Sequence, residues 1–337
     1  MNRRQFIATT GLTTLATQLP QSKIQAKISP QTIIKPPRLQ ASDTVGLVAP
    51  AGIIESKDIE DATKTFAELG LKVKLGEHIL ERYGYLAGTD IQRANDINTM
   101  FADKSVKAII AMRGGWGCNR ILSLLNYINI RKYPKIILGY SDITSLLLAI
   151  NARSRIVTFH GAVATSTWNQ FTLNYLKPIL FDGESVTMQN LNTAEGRIEV
   201  INPGRAQGKI VGGNLSVLCS MVGSPYLPTW NRRILFVEDI GEDVYRIDRM
   251  LTQLKTAGIL NQISGFIFGQ CVNCKPGDEP TFSLNQVLKD HFKSLKIPVF
   301  YGSMIGHIKD KFTIPLGVDV EIDAVAGTIK MLEPAVN

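Results

Sequence analysis

The stretch KIILGYSDITSLLLAI, residues 135–150, decides the fold of this chain. Its first part is an apolar, isoleucine-rich run that stops at Gly139-Tyr140, and its second part, from Ile143, reads as a helix. A strand feeding directly into a helix is the building unit of a parallel sheet. A single hydroxyl, Ser141, stands at the seam. Such a residue either caps the helix start or is a nucleophile presented at a strand end. The match to G-x-S-x-G fails at its last position, which is Ile143, and taken alone the position reads more readily as a cap.

The same alternation extends outward. TVGLVAP (44–50) is a strand, and ESKDIEDATKTFAELG after it carries Ile59, Ala62, Phe66 and Leu69 at helical spacing, closed by Gly70. LKVKLG (71–76) is a strand. TDIQRANDINTMF (89–101) is a helix with a Thr/Asp start and Ile91, Ala94, Ile97 and Phe101 on one face. VKAIIAM (106–112) is a buried strand, GCNRILSLLNYI a helix, KIILGY a strand and ITSLLLAINAR a helix. Strands alternating with helices of this length predict an α/β fold with a parallel, doubly wound sheet of the Rossmann or flavodoxin kind over residues 43–165. Ligands of such sheets bind beyond the carboxyl ends of the strands.

Around 166–205 the pattern weakens, which suits a connection between domains. Beyond it RRILFVED (232–239) is a strand, VYRIDRMLTQLKTAGIL (244–260) a strong helix, SGFIFGQCV a strand and LNQVLKDHFKSL a helix. VDVEIDAVAGTIKML is a hairpin turning near Ala326-Gly327. Residues 206–333 are therefore expected to form a smaller, mixed α+β domain. At 337 residues the chain is long enough for both.

Charge is distributed unevenly. The formal net charge is +8, but residues 1–40 hold six Lys/Arg and no acid, and from residue 41 onward 31 basic residues face 29 acidic ones. A body so close to neutral gives little support to nucleic-acid binding. MNRRQFIATTGLTTLATQLP, with Arg3-Arg4 ahead of a modestly apolar run, has the pattern of a twin-arginine export signal, the alternative being an ordinary basic tail. We assign it to residues 1–26. Ile24-Gln25-Ala26 is a weak cleavage site, so the segment is either removed or kept as a tether, and residues 27–42, rich in proline, read as a linker. An exported, periplasmic protein without an integral membrane span is expected. Of four cysteines, Cys271 and Cys274 form a C-x-x-C without the second pair a zinc site needs. They are either a disulfide or two thiols near a turn, and no metal is assigned.

Two strands of the first domain end in unusual loops, RGGWG (113–117) and GYSD (139–142), which emerge from the same sheet edge. Glycines in the first let backbone N–H groups approach an anion. A nucleophilic serine needs a base, and the base an orienting acid. Among four histidines, His78 reads as a surface residue, His160 after IVTF as a satisfied core histidine, and His291 as part of a helix's polar face. His307, in SMIGHIKDKFTIPLG, sits in a loop. In ILFVEDIGE, alternation puts Ile234, Phe236 and Glu238 on one face and Asp239 on the other. An acid ending this apolar strand is the best candidate for the orienting group; the alternative is a cap for the following helix, a purpose Asp239 or Asp243 could serve instead. Nothing in periodicity or spacing joins Ser141, Glu238 and His307.

RGGWGCNRIL, GYSDIT, GGNLSVL (212–218), VEDIGEDVYRIDRML and IGHIKDKFTIPLG together resemble the L,D-carboxypeptidase family of serine peptidases, which includes the microcin C immunity peptidases. The likeness runs from about residue 43 to 332. It implies a two-domain, usually dimeric scaffold with Ser141 as nucleophile, Glu238 as acid and His307 as base, no cofactor, and an oxyanion hole at the amides of Gly115 and Asp142. Arg113 and Trp116 are candidate substrate contacts; the family commonly has tyrosine where Trp116 stands. The expected activity is removal of the terminal D-alanine from murein tetrapeptides. The alternatives are hydrolysis of a peptidyl or aminoacyl nucleotide, and an exported peptide-binding protein without turnover.

Overall fold

In the first half of the chain apolar runs and the alternating KVKL become the strands β1 (Thr44–Val48), β2 (Lys72–Leu75), β3 (Val106–Ala111), β4 (Ile136–Gly139) and β5 (Thr158–His160). All five are parallel neighbours, in the order β2-β1-β3-β4-β5, the flavodoxin-type order expected of a doubly wound sheet. The structure is a computed structural model, and it describes residues 32–193 and 196–337. The twin-arginine segment and its cleavage site lie outside them. Among the described residues no helix is long and apolar enough to cross a membrane.

The connecting helices are α1 (Ser56–Glu68), α2 (Asp90–Ala102), α3 (Cys118–Ile121), α4 (Tyr127–Lys132) and α5 (Thr144–Ser154). Thr89 and Gln92 close a capping box at the start of α2, satisfying two N–H groups that the helix leaves free. Ala94, Ile97 and Phe101 are buried as their spacing requires, but Ile91 is 65% exposed and Arg93 takes the inward place. Its guanidinium bonds the Pro50, Gly117 and Gly88 carbonyls and Asp90, so its charge is paired and its donors are used. The helix expected over GCNRILSLLNYI is broken: α3 gives way to a 3₁₀ turn at 122–124, and α4 starts afresh with Asn126 as its cap. The core of α5 is buried nearly all round, as befits a helix packed between layers.

Residues 166–205 contain α6 (Gln170–Lys177), β6 (Thr187–Met188) and β7 (Glu199–Asn202). The remaining elements are β8 (Arg205–Asn214), α7 (Leu215–Ser220), β9 (Ile234–Ile240), α8 (Val244–Thr256), β10 (Gly265–Val272), α9 (Leu284–Phe292), β11 (Val299–Tyr301), β12 (Ile314–Leu316), β13 (Asp319–Asp323) and β14 (Thr328–Met331). They build a mixed sheet in the order β6-β14-β13-β8-β9-β10-β11-β7. Its pivot is the ten-residue β8, which pairs antiparallel with β13 over Arg205–Lys209 and parallel with β9 over Ile210–Asn214. The hairpin β13–β14 forms where the sequence places it.

Two features join the sheets. The chain beyond the His307 loop returns to the first sheet, where β12 pairs antiparallel with β5 and sets Ile314 opposite His160. The backbone N–H of Asn214, at the end of β8, donates to Thr144 Oγ1 on α5 at 2.9 Å. The carboxyl ends of β4, β5, β8 and β9 are thereby brought to one place. Residues 34–39, at the end of the stretch read as a linker, lie against the body: Ile34 bridges Ile156, and Arg38 bonds the carbonyl of Asn337.

Candidate active site

β3 and β4 are neighbouring parallel strands, so the loops that follow them face each other. Ser141 is the first residue after the Gly139-Tyr140 strand end and starts a 3₁₀ turn, 141–143, that leads into α5. Its φ is 63°, in the left-handed region that non-glycine residues seldom enter. It does not occupy a cap position, which falls to Tyr140 for this turn and to Ile143 for α5, so the capping role does not explain it. Instead it lies against the glycine loop. A Cβ on Gly114 would stand 2.7 Å from Ser141 Cβ and 2.9 Å from its Oγ, so a larger residue there would displace the hydroxyl. The Asp142 carboxylate accepts the Cys118 N–H at 2.8 Å, tying the serine turn to the end of that loop. Burial raises the Asp142 carboxyl above its ordinary range despite this bond.

Glu238 is on β9, opposite Asn214 of β8, with its side chain fully buried. Its Oε2 lies 2.7 Å from Nδ1 of His307, whose ring is partly buried in the loop before β12. Gly306 permits this approach, since a Cβ there would sit 2.6 Å from Oε2. Burial alone would raise the Glu238 carboxyl; the His160 and His307 imidazoles outweigh it and hold the group down at about 2. Tyr140 presents its ring edge-on to His307, with centroids 4.9 Å apart.

Ser141, His307, Gly115, Asp142, Arg113 and Trp116 line one cleft of about 660 Å³, and Glu238 lies behind His307. Arg113 is exposed and donates to the Ile53 carbonyl, while Trp116, 64% exposed, meets Tyr85 edge-on. Asp239, on the other face of β9, also borders the cleft. It accepts bonds from the Asn214 amide and from the N–H groups of Ser216 and Ile240. Burial, then the neighbouring Glu238 charge, push it up to about 6.

The other histidines differ from their expected places. His78 is part-buried and pairs through Nδ1 with Asp96 at 2.7 Å. His291 is buried, not on a polar face, and its Nε2 lies 2.7 Å from Asp248. His160 is in the core but is not satisfied: neither ring nitrogen has a hydrogen-bond partner. Sequence reasoning also missed Tyr140 and Lys311. The Lys311 ammonium lies 5.0 Å over the Tyr140 ring, and burial lowers it to about 8. Its place in IKDKF resembles any surface lysine, so no local signal marked it.

Cys271 and Cys274 form a disulfide. Cys118 and Cys219 are buried free thiols, pushed up by burial, Cys219 to about 12, so neither offers a thiolate at neutral pH. Among the described residues no cluster of His, Cys, Asp or Glu is arranged to hold a metal ion.

Two family models match the chain: the LD-carboxypeptidase N-terminal domain over residues 45–161 and the LD-carboxypeptidase C-terminal domain over residues 207–322. A probable murein peptide carboxypeptidase of Bacillus subtilis is 38% identical over 87% of this chain and 93% of its own length. The crystal structure of a muramoyltetrapeptide carboxypeptidase from Oxalobacter formigenes superposes with a TM-score of 0.76 at 30% identity, covering 86% of this chain and 97% of that one. The fold is also that of MccF in complex with glutamyl sulfamoyl guanosine, with a TM-score of 0.82 at 23% identity over 90% of this chain and 99% of that one. The chain belongs to the LD-carboxypeptidase family and is a hydrolase of the serine-type carboxypeptidase class.

Proposed function

We propose that the enzyme removes the terminal D-alanine from murein tetrapeptides with a Ser141–His307–Glu238 triad. The observation that carries this reading is the 2.7 Å contact of Glu238 with His307 at a cleft where Ser141 is held in a left-handed conformation against Gly114. His307 takes the Ser141 proton as Oγ attacks the scissile carbonyl, then returns it to the leaving D-alanine nitrogen. Water repeats the cycle on the acyl-enzyme. Glu238 accepts the Nδ1–H, fixes the tautomer that leaves Nε2 as the base, and stabilises the imidazolium as it forms. The N–H groups of Gly115 and Asp142 receive the developing oxyanion; neither is used as a donor among the described residues. Arg113, at the rim, is the candidate partner for the substrate's terminal carboxylate.

Incubation with murein tetrapeptide, read by mass spectrometry, is expected to show loss of one alanine. An inert tetrapeptide alongside a cleaved aminoacyl nucleotide would replace this substrate with the one suggested by the likeness to MccF.

The same reading makes the enzyme an exported, periplasmic homodimer. The address proposed for it is Arg3-Arg4, and Arg3→Lys with Arg4→Lys is expected to abolish export of a reporter fusion at unchanged charge. Export that persists would remove the twin-arginine assignment. Light scattering tests the dimer, with a monomeric mass as the adverse result.

A further inference from the structure

We propose that His160 is a positioning residue for Glu238, holding the carboxylate oxygen that His307 does not use. His160 ends β5 beside Gly139 of β4, and Glu238 lies on β9, so the two meet at the junction of the sheets. Both side chains are at most 2% exposed. Nε2 of His160 lies 3.8 Å from Glu238 Oε1, within ion-pair range and too long for a hydrogen bond. Oε1 and both His160 nitrogens have no hydrogen-bond partner among the described residues. Most buried side-chain polar atoms have a hydrogen-bond partner, and His160 is the buried histidine of this chain in which both nitrogens lack one among the described residues. An unbonded carboxylate oxygen and an unbonded ring nitrogen, 3.8 Å apart and out of water, are costly unless they answer one another.

The surroundings fix the ring. Tyr140 and Phe236 meet it edge-on, with centroids 6.1 and 5.3 Å away. The titratable groups facing this junction are Glu238, His307 and Tyr140, with Lys311 across the Tyr140 ring. An Nε2–H directed at Oε1 keeps the carboxylate ionised and leaves Oε2 free to point at His307. His160 is sealed from the cleft, so it acts through Glu238 and not on substrate.

The inference rests on the triad proposed above, and its test separates the two. His160→Phe keeps the ring and its packing and removes the donor. It is expected to lower kcat about 10- to 100-fold, less than removing the orienting charge itself, with KM within about twofold because substrate contacts are untouched. It should also move the acid limb of kcat/KM to higher pH. Without the second donor the carboxylate is a stronger partner for the His307 imidazolium, which holds its proton longer. His160→Gln, whose amide donates without titrating, is expected to recover most of kcat. Turnover of folded His160→Phe within about twofold of wild type would overturn the inference. So would a reduced kcat with an unmoved acid limb, or no recovery by a folded His160→Gln. If His160→Phe fails to fold, the ¹⁵N spectrum of the wild-type imidazoles decides: protonation at Nε2 supports the inference and a proton on Nδ1 alone overturns it. Ser141→Ala is the discriminator. Should it retain turnover, the triad itself fails; should it be inactive while His160→Phe is normal, only the role of His160 is lost.

Discussion

Glu238 and Asp239 are consecutive carboxylates on one strand, both buried, and the two faces of β9 treat them in opposite ways. Glu238 points to the face of Phe236 and meets two imidazoles, which hold it at about 2 against the cost of burial. Asp239 meets backbone N–H groups and the Asn214 amide, and burial beside the Glu238 charge leaves it at about 6. Burial is common to both, so it is the partner that sets the outcome. An imidazole able to carry charge compensates a buried carboxylate more fully than neutral donors do. We assign chemistry to the first face and architecture to the second: Asp239 ties the β9 end to Asn214 and the start of α7.

The comparison breaks most sharply at the residues that Glu238 serves. Ser141→Ala and His307→Ala are each expected to lower kcat by about 10⁶, with the double variant scarcely worse, because nucleophile and base act in one step. Steady-state kinetics on folded variants checks this, and near-wild-type turnover of Ser141→Ala would return the residue to a turn-forming role. Next in size, Glu238→Gln keeps the base but removes the charge behind it. A loss on the order of 10⁴ in kcat is expected, smaller than that of Ser141→Ala.

Asp239→Asn sharpens the contrast from the other side. It should leave kcat within about tenfold of wild type and cost about 1–3 kcal/mol of stability, since an amide cannot accept all three bonds. A larger loss of turnover than Glu238→Gln would reverse the assignment of the two faces. The carboxylates also predict opposite slopes of stability against pH. Glu238 is lowered from 4.5, so its contribution is present above that pH and is lost as pH falls toward about 2. Asp239 is raised from 3.8, so the native state binds the extra proton and stability falls as pH rises from about 4 to about 6. Urea titrations across this range are expected to show the second slope in wild type and its absence in Asp239→Asn.

The smallest effect is expected at the disulfide that ends β10. Cys271 follows β9 through its pairing with Asp239, but its disulfide to Cys274 bonds neither carboxylate. Cys274→Ser is expected to leave kcat within about twofold while lowering thermal stability, because an i,i+3 bridge restricts only a short loop. A collapse of turnover in the folded variant would join that loop to the active site.

Alternation of apolar runs made the parallel sheet legible, because a strand buried on both faces must be apolar throughout and its crossover helix must carry one apolar stripe. The same rule misplaced Ile91 and gave no sign that Arg93 takes the inward place. An arginine on an inward face reads as polar until the carbonyls of Pro50 and Gly117, far away in the chain, are seen to take its donors. His291 escaped for a similar reason, its partner Asp248 lying on a separate helix. The serine at the strand end and the acid on an apolar strand were visible as residues, but their relation was carried only by resemblance to a family.

By itself, then, the sequence determined the alternation of elements, the opposed faces of Glu238 and Asp239, and the glycine loop at a strand end, since each follows from side-chain periodicity and backbone sterics within a few residues. Tertiary structure decided which groups meet. It brought Gly306 close enough for His307 to reach Glu238, set Gly114 against Ser141, left His160 facing the second carboxylate oxygen, and returned β12 to the first sheet. Those contacts join residues well separated in the chain, from Gly114 and Ser141 on loops after neighbouring strands to His160 and Ile314 on strands from opposite halves of the sequence. Their energies depend on burial and on the partner found, and neither is a local property of the chain.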